Sequence, residues 1–203
     1  MGRFVHYWST AHPDGKIMRR DLTRTRLPFV DQSWIDGVFT PVDQRSPAMK
    51  AAIEVSDQLI AELMAADHIV IGTPMYNFSI PAALKAYIDQ IVRVGVTITS
   101  GYEGLVRGKK ATVVVASGGS FATGSKWESW NGASAYLKQI LSFIGITDVT
   151  VMLADGTLAL ECGEATFTDF SARFEERLCQ AAQGLERSAT LSNSSGSLMA
   201  SAF

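Results

Sequence analysis

Two short runs in this 203-residue chain carry residue types suited to holding a flat, partly polar ligand. The first is Gly72-Thr73-Pro74-Met75-Tyr76-Asn77-Phe78-Ser79-Ile80-Pro81. Its aromatic rings, carboxamide and prolines suit a heteroaromatic ring better than a sugar or a metal. The second is Ala116-Ser117-Gly118-Gly119. Paired glycines let the backbone come close to a ligand and leave amide N–H groups pointing at it. Alone, Gly-Gly is equally well read as a tight connection. A neighbouring Met75-Tyr76-Asn77-Phe78 turn tips the reading toward binding.

The flanking patterns say what must position these runs. His68-Ile69-Val70-Ile71-Gly72 reads as a strand buried on both faces, and Ala111 to Ala116 as a second. A helix with Leu84, Ile88, Ile91 and Val92 at a period of 3.6 follows the first run and stops by Gly95. Another, carrying Ala133, Leu137, Ile140, Leu141 and Ile144, follows the second and ends near Gly145. Turns between the carboxyl end of a parallel strand and a helix are where doubly wound α/β proteins bind ligands. Ser46-Pro47 starts a further helix, with a hydroxyl cap and then proline, that runs to about Ala66. Phe4 to His12 reads as a helix end, Lys16 to Leu22 as a polar edge strand, and Val149 to Leu153 as another strand. Leu27 to Arg45 reads as irregular, anchored by Trp34, Ile35 and Phe39. A last helix presents Phe167, Phe170, Phe174, Leu178, Ala181 and Leu185. Strands alternating with helices predict one α/β domain over 1–186, a doubly wound parallel sheet. The Ser-rich, non-periodic stretch 187–203 predicts a disordered tail.

Composition removes several function classes. A net charge of -2 with no clustered Lys and Arg gives no nucleic-acid footprint. No apolar stretch approaches the length needed to span a membrane. Cys162 and Cys179 form no C-x-x-C pair and no zinc spacing. They read as free thiols of a cytoplasmic protein, in keeping with the lack of a secretory signal. No metal site is expected. The P-loop pattern fails because Gly104 to Lys109 has the wrong spacing. G-x-G-x-x-G and G-x-S-x-G are both absent. His6, His12 and His68 adjoin no candidate nucleophile and read as structural. Trp127 and Trp130 read as packing residues that could also wall a pocket.

Taken together, several runs resemble the FMN-dependent NADH-azoreductase family, whose flavodoxin-like members also reduce quinones. They are Met75-Tyr76-Asn77-Phe78 with Ile80-Pro81, Glu103-Gly104-Leu105, Gly108-Lys109-Lys110, Gly118-Gly119, and Phe143-Ile144-Gly145-Ile146-Thr147-Asp148-Val149. The resemblance spans about Phe4 to Leu185. It implies a flavodoxin-like fold, FMN as cofactor and NADH as electron donor. It also implies a quinone or azo compound as small-molecule acceptor, and a homodimer. Carried onto matching positions, Met75, Tyr76, Asn77, Phe78 and the segment Ala116, Ser117, Gly118, Gly119 would hold the flavin ring. The cofactor carries the chemistry, so no acid–base residue is named.

Three departures from the family pattern matter. Ser-Arg-Gly-Gly becomes Ala-Ser-Gly-Gly at 116–119, which loses a charge. The loop before Glu103 is shorter. No strand and no Ser-rich phosphate loop precede Phe4, so the fold is expected to be truncated at its N-terminus and to lack its central strand. Strand 16–22 would then stand detached, or pair with strand 68–72. Two rival readings follow: a non-catalytic remnant with impaired FMN binding, and a flavodoxin-type electron carrier.

Overall fold

The computed structural model describes residues 1–184 and 196–202. Its strands are β1 (Lys16–Asp21), β2 (His68–Pro74), β3 (Lys110–Ser117), β4 (Asp148–Asp155) and β5 (Ser197–Ala202). They form one sheet in the order β1-β5-β2-β3-β4, with every neighbouring pair parallel. The helices are α1 (Gly2–Ala11), α2 (Gln32–Phe39), α3 (Pro47–Ala65), α4 (Ala82–Ile91), α5 (Gly132–Ile144), α6 (Leu158–Glu161), α7 (Phe167–Ala172) and α8 (Glu175–Gln183).

Alternation along the strands gives the sheet two apolar faces. On one face Ile69, Ile71, Val113, Val115 and Met199 pack with Leu59 and Leu63 of α3, Leu84 and Ile88 of α4, and Leu137 and Leu141 of α5. On the other, Val70, Met152, Leu198 and Ala200 pack with Phe4, Val5 and Trp8 of α1 and with Ala181 and Ala182 of α8. The helix ends follow local chemistry. The Ser46 side chain accepts from the Met49 N–H and Pro47 is the first residue of α3. The Asn131 side chain accepts from the Ser134 N–H to start α5, and Gly145 ends it at φ 109°.

The expected gap in the sheet is filled. Ser197–Ala202 lies between β1 and β2, the slot next to the switch point that the first strand takes in the 2-1-3-4-5 order. Met199 stands opposite Met18 on one side and Ile69 on the other. So β1 is neither detached nor paired with β2, and these C-terminal residues are a buried strand rather than tail. Leu198, Met199 and Ala200 are at most 3% exposed. Apolar side chains on both faces suit a central strand, and the flanking serines had masked that pattern. The start of β5 is pinned at Asp67: the Ser197 N–H donates to its Oδ2 at 2.8 Å, and the Asp67 N–H donates to the Ser197 carbonyl at 2.9 Å. The rest of the expected tail, 187–195 and Phe203, lies outside the described residues, as does Leu185.

Smaller expectations also change. The 27–45 stretch contains α2 and a short 3-10 turn at Val42–Gln44. Of its three apolar anchors only Trp34 is buried; its indole N–H donates to Gln90 Oε1 at 2.8 Å. Ile35 and Phe39 are exposed. The helix after the first run ends at Ile91 rather than at Gly95. The last helix is two pieces, α7 and α8, broken at Arg173 and Phe174, and the short α6 precedes them.

Candidate functional site

The two runs singled out by residue type meet at the carboxyl edge of the sheet. β2 and β3 are adjacent and in register, Pro74 opposite Ala116, and the Met75 N–H donates to the Ala116 carbonyl at 2.7 Å. Beyond that bond the chain turns sharply. Tyr76 and Ser79 exchange N–H···O bonds at 2.9 and 3.0 Å, and Asn77 and Phe78 take positive φ, 49° and 67°. A bulky residue at positive φ is strained, and such strain concentrates at ligand-binding sites. The turn lifts Tyr76, Asn77 and Phe78 out of the core, while the Met75 side chain packs back into it. Of the four residues, Met75 is therefore the anchor and the other three are exposed.

The second run is arranged differently. The carbonyls of Ser117, Gly118 and Gly119 accept from the N–H groups of Thr157, Leu158 and Gly156 at 3.0, 3.3 and 3.3 Å. Among the described residues the N–H groups of Gly118 and Gly119 have no hydrogen-bond partner. Neither glycine has a positive φ, and a Cβ on either would meet nothing nearer than 3.7 Å. Nothing in the fold itself requires glycine there. The bare backbone leaves room and free donors for a ligand. Ser117, where the family has arginine, is buried, and its hydroxyl donates to the Gly119 carbonyl at 3.0 Å. It shapes the turn rather than reaching outward.

Beside the two runs a cavity of about 360 Å³ opens between Gly72, Thr73, Pro74, Tyr76 and Ala116, with Met1, Thr23 and Val114 completing it. An aromatic cluster at the same sheet edge stands outside that cavity's lining. Phe78 sits edge-on to Trp130 at 5.0 Å and to Phe121 at 6.1 Å between centroids, and Trp130 sits edge-on to Trp127 at 5.3 Å. Phe121 and Thr23 were missed in the sequence. Phe121 lies only two residues past Gly119, a spacing that could have flagged it; Thr23 carries no local signal.

Other motif runs turn out to hold the scaffold. Gly104 backs onto Gly145 so closely that a Cβ would overlap its backbone, and the Val106 N–H donates to the Ile144 carbonyl at 2.8 Å. The Lys109 ammonium donates to the carbonyls of Met64 and Ala66 at 2.7 and 2.6 Å, which secures the end of α3. His68 is also structural: it is buried, its Nε2 is 2.9 Å from Thr112 Oγ1, and Phe4 packs edge-on to its ring. Burial pulls its pKa from 6.5 down to about 4, aided by the charge of Lys110. Both cysteines are free, and no cluster of metal-binding side chains occurs among the described residues.

Residues 2–178 match the family model described as flavodoxin-like fold. The chain belongs to that flavodoxin-like family. It is 49% identical over 180 residues to FMN-dependent NADH:quinone oxidoreductase 2 of Jannaschia sp. (strain CCS1), covering 89% of this chain and 88% of that one. It is 45% identical over 179 residues to FMN-dependent NADH:quinone oxidoreductase 8 of Burkholderia lata, covering 88% and 85%. Among solved structures, this flavodoxin-like chain superposes on azoreductase AzrA with a TM-score of 0.78 at 26% identity, covering 90% and 89%. An azoreductase from Bacillus anthracis str. Sterne gives a TM-score of 0.78 at 25% identity, covering 90% and 88%. No described helix is long and apolar enough to cross a membrane.

Proposed function

We propose that this protein is an FMN-dependent NADH:quinone oxidoreductase that also reduces azo compounds. FMN, when bound, would supply the hydride-transfer chemistry between NADH and the quinone or azo acceptor. The chain's own part is to bind, orient and enclose. The observation that carries the reading is the pairing at the sheet edge: Tyr76, Asn77 and Phe78 stand beside Gly118 and Gly119, whose N–H groups are unpartnered among the described residues. The relatives' names support the same cofactor and donor.

In this reading Met75 and Ala116 fix the spacing of the two loops through their backbone bond. Asn77 offers its carboxamide, and Gly118 and Gly119 their N–H groups, to the polar edge of the ring; Ser117 holds their turn. Tyr76 and Phe78 cover the ring's apolar portion and keep water from it. A homodimer in the cytoplasm completes the proposal, on the strength of the family resemblance. The experiment is to load the purified protein with FMN and follow NADH oxidation with and without a benzoquinone. Quinone-dependent turnover that requires FMN is expected. A protein that takes up no FMN overturns the reading, and one that takes up FMN but oxidises no NADH is an electron carrier.

A further inference from the structure

A second cavity, of about 330 Å³, lies on the α1/α8 face of the sheet. Its floor is Met152 and Ala154 of β4, and its wall is Phe167, Phe170 and Phe174. Val114 and Met1 line both this cavity and the one at the carboxyl edge. No residue of the candidate ring-holding runs lines it. The size falls in the range of about 300–1,000 Å³ typical of small-molecule sites. An apolar cavity of about 150 Å³ takes up benzene, so this one accommodates roughly two fused rings.

The rim sets the ligand's charge. Arg3 is ion-paired with Glu175 and lies 6.0 Å from the centre of the Phe167 ring. Arg173 lies 5.3 Å from both the Phe170 and Phe174 rings and 3.9 Å from Asp155. Each cation thus already has its carboxylate, and neither is free to neutralise an anion. Arg3 is the one charged side chain in the lining, and the rest of it, Ser171 apart, is apolar and suits an uncharged guest. Three phenylalanines and two methionines favour a planar aromatic guest through ring and sulfur contacts.

We propose that this cavity is a second ligand site, separate from the flavin site, for neutral planar aromatic molecules of about two rings. Its occupant lies against Met1, whose Cε is 3.0 Å from where a Cβ on Gly72 would stand. The site therefore borders the cavity at the sheet edge without sharing its loops.

The test uses the full chain and 1-aminonaphthalene, an uncharged two-ring probe whose emission shifts to the blue in apolar surroundings. Saturable binding of one probe per chain, undiminished by saturating FMN, is expected. Ala154→Leu fills the floor and should weaken binding at least tenfold while leaving the thermal midpoint equal or higher. Leu178→Phe, which fills the cavity from α8, should do the same and serves if the first variant fails to fold. Equal binding by wild type and a folded filling variant overturns the proposal. So does competitive displacement by FMN, which would put the probe in the cofactor site. The readout needs neither NADH nor turnover, so it stands or falls apart from the oxidoreductase reading.

Discussion

Gly72 of β2 pairs with Ala202 of β5, the last register pair between the sheet's middle strand and a strand drawn from the far end of the sequence. The same Gly72 lines the cavity beside the Pro74–Phe78 turn. The strand that completes the sheet therefore also ends at the candidate site. Its removal would unpair one edge of β2 at the point where β2 delivers the candidate ligand-binding loop.

If β5 closes the sheet in solution, Met199→Ala should be costly. Met199 is fully buried between Met18 and Ile69, and its sulfur is 3.9 Å from the Tyr87 hydroxyl. Truncating a buried methionine costs about 2–5 kcal/mol, a large share of a typical stability of about 5–15 kcal/mol. Urea unfolding followed by circular dichroism measures it. A loss indistinguishable from that of the exposed control Phe29→Ala would mean that β5 does not occupy the slot.

Stability should also fall with acid through His68. Folded, it protonates only near pH 4; its unfolded reference is 6.5. Between those values the unfolded chain binds the extra proton, so stability rises with pH across that window and is complete above it. The shift corresponds to roughly 3 kcal/mol lost on going from above pH 6.5 to below pH 4. Urea midpoints recorded across this range should show the slope, and His68→Gln should flatten it. A slope that survives the substitution would assign the acid sensitivity to other groups.

How much of this could be read from the residues follows the range of the interactions. The strands β2, β3 and β4 were legible because each is a dense apolar run, and α3 because Ser46-Pro47 caps it. The meeting of the Pro74–Phe78 and Ala116–Gly119 loops followed from two such strands being neighbours. β5 was not legible. Ser197 and Ser201 dilute its pattern, and a strand of small residues declares itself only when Met18 and Ile69 are in place on either side. Trp34 in α2 was read as an anchor, but the helix around it was not, since Asp31 and Gly37 resemble loop chemistry. The division of labour between Met75 and Tyr76 depends on a turn at positive φ that no local rule gives for Phe78.

Gly132, the first residue of α5, is where that turn leans on the scaffold. A Cβ there would stand 2.7 Å from the Phe78 carbonyl oxygen. Alanine is otherwise favoured over glycine in a helix by up to about 1 kcal/mol. Gly132→Ala should thus leave the fold intact but push the Phe78 turn outward, lowering flavin retention. Flavin absorbance of the purified variant, alongside its thermal midpoint, separates the two effects. Full retention would show that the turn yields without moving the ring-binding side chains.

Gly119→Val offers the sharpest test of the site, because structure and function predict opposite outcomes there. The position has ordinary φ, and an added Cβ would meet only the Phe121 ring edge, at 3.7 Å. By packing alone the substitution should change stability by no more than about 0.5 kcal/mol, the usual range for a surface change away from special features. A ligand lying against the bare backbone would instead collide with two new methyl groups, and the N–H of residue 119 would be shielded from it. The expected result is an unchanged urea midpoint with FMN affinity reduced at least tenfold, about 1.4 kcal/mol. Fluorescence quenching during FMN titration measures the affinity. Undiminished affinity in a stably folded variant would mean that the flavin does not lie along Gly118 and Gly119, and the assignment of this loop would be withdrawn.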